Sequence, residues 1–283
     1  MPPECKVIDG YINFEVGSIS KACKTYYKII GTPESWGQPG FLILYDQVGG
    51  GLSTHLPEKN GDTGFWTIQL FLDELDNLLT KLKIEEYDLL GHSWGGALAV
   101  SHAVRRPPGL RNLILFSCDP STQLLEQCQD VELKPRFPKE VREALEKYDE
   151  DGEVTPEYRK AREYYNKHHQ CTIDPAPDAV VRAFQWVAED PTVPLTLYGP
   201  NSFKTTGPMK DWTVVDDLHN IVVPTLVING AQDSIVDSSL TPFIERIPEV
   251  KWVKFQHSSH MAHYEERDKF MHTIREFLCG RRS

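Results

Sequence analysis

Residues 87–96 read Tyr87-Asp-Leu-Leu-Gly-His-Ser-Trp-Gly-Gly96. An apolar run leads directly into Gly-x-Ser-x-Gly, the sharp turn that lifts a nucleophilic serine off the end of a strand and into a helix. The run from Ala97 to Val104 supplies that helix, and Pro107-Pro108 ends it. Gly91 and Gly95 are expected to flank a turn too tight for a side chain, and Ser93 to sit in a strained backbone conformation. The competing expectation is a glycine-rich turn whose serine is only the cap of the following helix. The five-residue pattern is a weak signal by itself; a strand before it and a helix after it make it strong.

Working outward, residues 11–16 and 25–30 read as two early strands joined by a turn. Phe41-Leu-Ile-Leu-Tyr45, bounded by Pro39-Gly40 and Gly49-Gly50-Gly51, is apolar throughout, as buried central strands of parallel sheets are. Phe65, Ile68, Phe71, Leu72, Leu75, Leu78, Leu79 and Leu82 fall at helical spacing, which predicts a helix over 63–82 capped by Asp62 or Thr63. Strand 87–90, the elbow, helix 97–105 and strand 113–116 follow.

The pattern then changes. Residues 119–215 are charged, proline-punctuated and helical, with 141–148 and 157–168 the clearest helices and no alternating strands. This stretch reads as an inserted helical cap, leaving 1–118 and 216–283 as the core. Alternation resumes with strand 225–229, helix 239–246, strand 252–255 and a final helix over 265–278. Strand–helix alternation interrupted by a helical insertion implies an α/β fold with a mostly parallel sheet.

Bulk properties narrow the function. The 283 residues are 40% hydrophobic and 25% charged, enough for a sizeable core. A formal net charge of -11 argues against nucleic acid and against an acidic membrane surface as partners. It suits cationic or amine-bearing substrates, though mild acidity commonly serves solubility alone. The six cysteines are scattered without a CxxC pair, which reads as free thiols in a reducing compartment. The N-terminus lacks a signal-peptide layout and no run approaches membrane-spanning length. A cytoplasmic protein acting on a small molecule or short peptide is the expectation; nothing sets an oligomeric state.

A serine hydroxyl needs an adjacent base, and the base an orienting acid. Both belong in loops at the carboxyl ends of late strands, in the chain order Ser, Asp, His. Strand 225–229 is followed by Gly230-Ala-Gln-Asp233, and strand 252–255 by Gln256-His-Ser-Ser-His260. The assignment is Ser93 nucleophile, Asp233 acid and His260 base. Asp237 is the rival acid, expected instead to cap the next helix. His257 and His263 flank His260, but one abuts the strand end and the other leads into a helix. The His-x-x-His-x-x-His run spans a loop without a carboxylate or cysteine ligand pattern, so no metal and no cofactor is expected. His168-His169 is expected on the cap surface.

With these residues placed, the chain resembles the proline iminopeptidase family of α/β-hydrolases, particularly its fungal branch. The resemblance rests on Tyr45-Asp-Gln-Val-Gly-Gly-Gly51, Ser53-Thr-His-Leu-Pro57, Gly91-His-Ser-Trp-Gly-Gly96, Arg105-Arg-Pro-Pro-Gly-Leu110, Tyr198-Gly-Pro-Asn-Ser-Phe203, Asp211-Trp212, Val223-Pro-Thr-Leu226 and Ser258-Ser-His-Met261. It implies an α/β-hydrolase with a helical cap that releases N-terminal residues, often proline, from small peptides or amides. A tailoring hydrolase of fungal metabolism and a non-catalytic binder on the same fold are the alternatives.

Three departures from the family pattern bear on chemistry. The family's strand ending in His-Gly-Gly-Pro-Gly has no counterpart between Ile30 and Leu42, so a couple of dozen residues and one central strand are missing. That loop normally donates one oxyanion N–H; the other, from Trp94, is retained. Losing one such donor costs roughly 100- to 1,000-fold in rate. One expectation is that strand 41–45 moves into the vacant place and Gly50 supplies the second N–H. The other is an impaired protein. Finally, Ser202 and Ser234 stand where the family carries glutamates that bind the substrate amine.

Overall fold

The computed structural model describes residues 6–19, 21–31, 41–200 and 203–280. They pack as two units, one formed by the chain up to Glu85 with Ala183–Thr196, the other by Glu86–Arg182 with the chain from Leu197 onward.

The first unit carries a three-stranded antiparallel sheet. β1 (Lys6–Phe14) pairs with β2 (Cys23–Gly31), and β2 with β3 (Leu42–Asp46), so that Ile30 faces Leu42 and Tyr26 faces Asp46. β3 is a terminal strand, and this corrects the expectation of a buried central one. Leu42 and Leu44 are 53% and 49% exposed because no strand among the described residues pairs with the far edge. Strand 41–45 therefore stays on β2 and does not move to a central place.

α1 (Ile68–Lys81) starts later than predicted. Its cap is Thr67, whose side chain accepts from Leu70 N–H at 3.3 Å. Asp62 instead holds a turn by accepting from Phe65 N–H at 3.0 Å, and Trp66 is driven fully inside with its Nε1 donating to the Lys59 carbonyl. α1 buries Leu70, Phe71, Leu72, Leu75 and Leu78, and with them Glu74.

The second unit carries the parallel sheet β4-β5-β6-β7: Tyr87–His92, Leu110–Phe116, Thr225–Gly230 and Val250–Phe255. β5 shows why its run is apolar throughout. Leu113 and Leu115 join Val100, Leu218, Val227 and Phe243 in one cluster. Ile114 and Phe116 join Leu226, Ile228, Phe255, Phe270 and Phe277 in another. A strand covered on both faces has no polar side to show.

α2 (Trp94–Ala103) follows β4. Between β5 and β6 the described residues form helices α3 (Thr122–Cys128), α4 (Lys139–Asp151), α5 (Pro156–Tyr165), α6 (Asp178–Glu189) and α7 (Thr192–Tyr198), with one isolated bridge between Ser121 and Thr213. Leu133, Phe137, Leu145, Tyr165 and Phe203 form a core within this stretch. α8 (Thr241–Arg246) precedes β7, and α9 (Ala262–Glu265) and α10 (Arg267–Cys279) follow it. No described helix is long and apolar enough to cross a membrane.

Candidate active site

β4 delivers Ser93 into the first turn of α2. Its φ is 54° and ψ −122°, a region that L-residues occupy only under constraint. Two glycines create the constraint. A Cβ on Gly91 would run into the Gly95 carbonyl and come within 2.7 Å of Ala99 Cβ; one on Gly96 would strike the Cys118 side chain. Gly95 itself has open space where its Cβ would lie, so the second steric glycine is Gly96, one place beyond the expected one.

Ser93 occupies the N-cap position, but its hydroxyl makes no cap hydrogen bond. The backbone holds the turn instead: Ser93 N–H donates to the Phe116 carbonyl at 3.0 Å, and the Ser93 carbonyl accepts from Gly96 and Ala97. The capping explanation of this serine therefore fails.

Asp233 and His260 come together at the carboxyl ends of β6 and β7. His260 Nδ1 lies 2.8 Å from Asp233 Oδ1, with the two residues 5% and 2% exposed. Asp233 is further held by the Ser117 hydroxyl at 2.5 Å and by Ile235 N–H at 3.0 Å. Burial pushes the Asp233 carboxyl up. The His260 charge and these hydrogen bonds outweigh it and leave the pKa below the usual carboxylate value. A Nδ1–H held by a carboxylate leaves Nε2 as the ring's basic nitrogen.

Ser93 is linked to this pair through its neighbour. The His92 Nε2–H donates to the His260 carbonyl at 2.9 Å, and the two rings lie 4.7 Å apart. No hydrogen bond joins the Ser93 hydroxyl to His260 among the described residues. Such bonds are often long in ligand-free serine hydrolases.

The alternative residues are placed as follows. Asp237 is not a helix cap. Its carboxylate is taken by Asn229 Nδ2 at 2.9 Å and Lys254 Nζ at 2.5 Å. His257 is exposed, while His263 packs edge-on against Phe116 and His92. No group of metal-ligating side chains is gathered among the described residues.

Other expected site residues fare less well. Gly50 N–H is spent inside its own turn on the Gln47 carbonyl at 3.0 Å. Ser234 is buried, receives Gln170 Nε2 and contacts Asp233 Oδ1, both at 3.4 Å; it supports the acid rather than lining a surface. Ser202 lies outside the described residues. Trp94 is the first residue of α2, and its ring meets Tyr198 edge-on at 6.1 Å.

Two residues went unnoticed in the sequence, and a third was misplaced. Ser117, at φ 48°, turns its hydroxyl onto Asp233. His169 is buried, not on the surface, and its Nδ1 meets the Gln232 carbonyl at 2.8 Å, bracing the loop that carries the acid. Asp119 lies just beyond the carboxyl end of β5. The signal for Ser117 and Asp119 was their place after a central strand, where such sheets bind ligands.

A family model described as the α/β hydrolase fold matches residues 41–267. The chain belongs to the α/β-hydrolase family. Within it, the chain is similar to the proline iminopeptidase of Lacticaseibacillus rhamnosus (strain Lc 705), 30% identical over 304 residues that cover 97% of this chain and 99% of that one.

Among solved structures, that of VinJ superposes with a TM-score of 0.86 at 34% identity, covering 95% of this chain and 98% of that one. The proline iminopeptidase of Mycobacterium smegmatis superposes with a TM-score of 0.83 at 31% identity, over 95% and 97%. The protein is thus a proline-iminopeptidase-like α/β-hydrolase.

Proposed function

We propose that this α/β-hydrolase is a serine hydrolase of small amides or esters, with Ser93 as nucleophile, His260 as general base and Asp233 as the acid that orients it. The buried 2.8 Å contact between His260 and Asp233 carries the reading, beside a serine held at positive φ with its hydroxyl unspent. Ser93 Oγ attacks the carbonyl carbon while His260 Nε2 takes its proton. The tetrahedral intermediate collapses as His260 returns that proton to the leaving amine or alcohol, and water then releases the acyl group by the same steps in reverse roles. Trp94 N–H, at the start of α2, is the oxyanion donor in this scheme. With Gly50 committed elsewhere, the support is thinner than usual, and slow turnover follows. Residues 119–215 serve as the cap that selects the substrate.

A fluorophosphonate probe tests the reading. It should label the wild type and fail on Ser93→Ala; a folded wild type that resists labelling and gives no burst with an activated ester overturns it.

A further inference from the structure

We propose that Glu265 is a positioning residue for His260, and that through Thr172 it ties the placement of the base to the helical stretch between β5 and β6. This deepens the serine-hydrolase reading above and rests on it.

His260 stands on a short loop after β7, and the two residues before it, Ser258 and Ser259, are fully buried. Two adjacent carboxylates hold that loop. Glu266 accepts from His257 N–H at 3.0 Å and from the Ser258 hydroxyl at 2.7 Å; its further partner is nearby Lys269 at 3.2 Å. Glu265, the last residue of α9, accepts from Ser259 N–H through Oε2 and from the Ser259 hydroxyl through Oε1, both at 2.7 Å. Glu265 also reaches far along the chain. Its Oε1 accepts from Thr172 N–H at 2.6 Å and from the Thr172 hydroxyl at 2.7 Å, 93 residues away and between α5 and α6. Four neutral donors therefore converge on one carboxylate, and such bonds are among the short, strong ones.

The same helical stretch also holds the acid. His169, three residues before Thr172, meets the Gln232 carbonyl at 2.8 Å, and Gln129 Nε2 donates to the Ser234 carbonyl at 2.9 Å. The acid loop and the base loop are joined directly, Gln232 N–H donating to the Ser258 carbonyl at 3.0 Å. Gly230 marks how closely they pass: a Cβ there would lie 2.3 Å from the Ser258 and Ser259 carbonyl oxygens. The segment from His169 to Thr172 thus grips the Asp233 loop at one end and the His260 loop at the other.

A general base works only within hydrogen-bond reach of the proton it takes, and a misplacement of about 1 Å costs on the order of 100-fold. Any shift of Thr172 passes through Glu265 to the residue just before His260. A glutamine cannot take over this post. Its single oxygen serves one side, and its NH2 turns a donor toward the Ser259 or Thr172 N–H. Substrates that seat the helical stretch well should therefore gain in turnover as well as in binding.

The test uses an activated ester and the full chain, with fluorophosphonate labelling to count competent Ser93. Glu265→Gln should lower kcat per labelled site roughly 10- to 100-fold with KM unchanged, the range for losing hydrogen bonds to a carboxylate. Thr172→Val keeps the N–H, removes the hydroxyl and should lower kcat about 3- to 10-fold. In the Glu265→Gln background that second loss should vanish, because both residues act through one contact. A purely structural role would reduce the number of labelled sites and leave kcat per site at the wild-type value. That result overturns the proposal, as does a Thr172→Val loss that adds in full to that of Glu265→Gln. Should Glu265→Gln fail to fold, Thr172→Val decides, and an unchanged kcat overturns the proposal. A labelled wild type beside unaffected variants leaves the serine-hydrolase reading standing; a folded wild type that resists labelling overturns both.

Discussion

The His92 Nε2–H reaches the His260 carbonyl at 2.9 Å, so the residue before the proposed nucleophile fixes the backbone of the proposed base. A carbonyl only accepts, so Nε2 must carry the hydrogen. Burial, then the neighbouring His260 and His263, hold its pKa down at about 3. His92→Phe keeps the stack on Phe116, whose ring centre is 4.4 Å away, and removes the bond. We expect kcat with an activated ester to drop about 5- to 10-fold, the equivalent of about 1 kcal/mol, with little change in melting temperature.

Ser117→Ala should move the acid limb. Asp233 is held below its unfolded pKa, so its stabilisation is present above that value and is lost as pH falls through the folded one. Removing the Ser117 hydroxyl raises the folded pKa toward the unfolded value. Activity and stability should then begin to fail at a higher pH than in wild type. At pH 7 the loss should be ~1.5–3 kcal/mol, the range for hydrogen bonds to charged groups. Urea unfolding at pH 7 and pH 4 measures both effects.

The two glycines of the motif should behave oppositely. Gly91→Ala forces a methyl group into the Gly95 carbonyl, backbone that cannot move without opening the elbow. Gly95→Ala enters open space inside α2 and gains helix propensity of up to about 1 kcal/mol. Thermal melts should show Gly91→Ala strongly destabilised and Gly95→Ala equal to or above wild type. Equal losses in both would contradict the geometry.

Glu74 gives the first unit its own pH signature. It is fully buried, accepts from the Thr25 hydroxyl at 2.5 Å and Val48 N–H at 3.0 Å, and burial raises its pKa from 4.5 to about 7. The folded state therefore keeps a proton that the unfolded chain releases, and stability falls as pH rises from about 4.5 to about 7. Glu74→Gln removes that dependence. The wild type should lose up to ~3 kcal/mol relative to Glu74→Gln between pH 5 and pH 8, read from urea midpoints.

Much of the second unit was legible because its signals are local. Gly-x-Ser-x-Gly after an apolar run, and an acid and a histidine each just past a β-branched strand, need no long-range knowledge to be placed. The rest depended on partners far away in sequence. Phe65 fits a helical stripe, yet Trp66 beside it turns inward and delays α1 to Thr67. Asp237 sits where caps sit, but Asn229 and Lys254 claim it. His169 reads as surface until the Gln232 carbonyl, 63 residues on, receives it. β3 has a central strand's composition and an edge strand's exposure, since composition does not record a missing neighbour.

The parallel sheet carries the proposed reacting groups by itself. Ser93, Ser117, Asp233 and His260 all hang from β4, β5, β6 and β7, and every hydrogen bond that aligns them stays within that unit. A lineage can therefore shorten the chain ahead of β3 without disturbing the groups that would exchange protons. Such trimming tunes speed and selectivity first, and leaves the reaction type heritable.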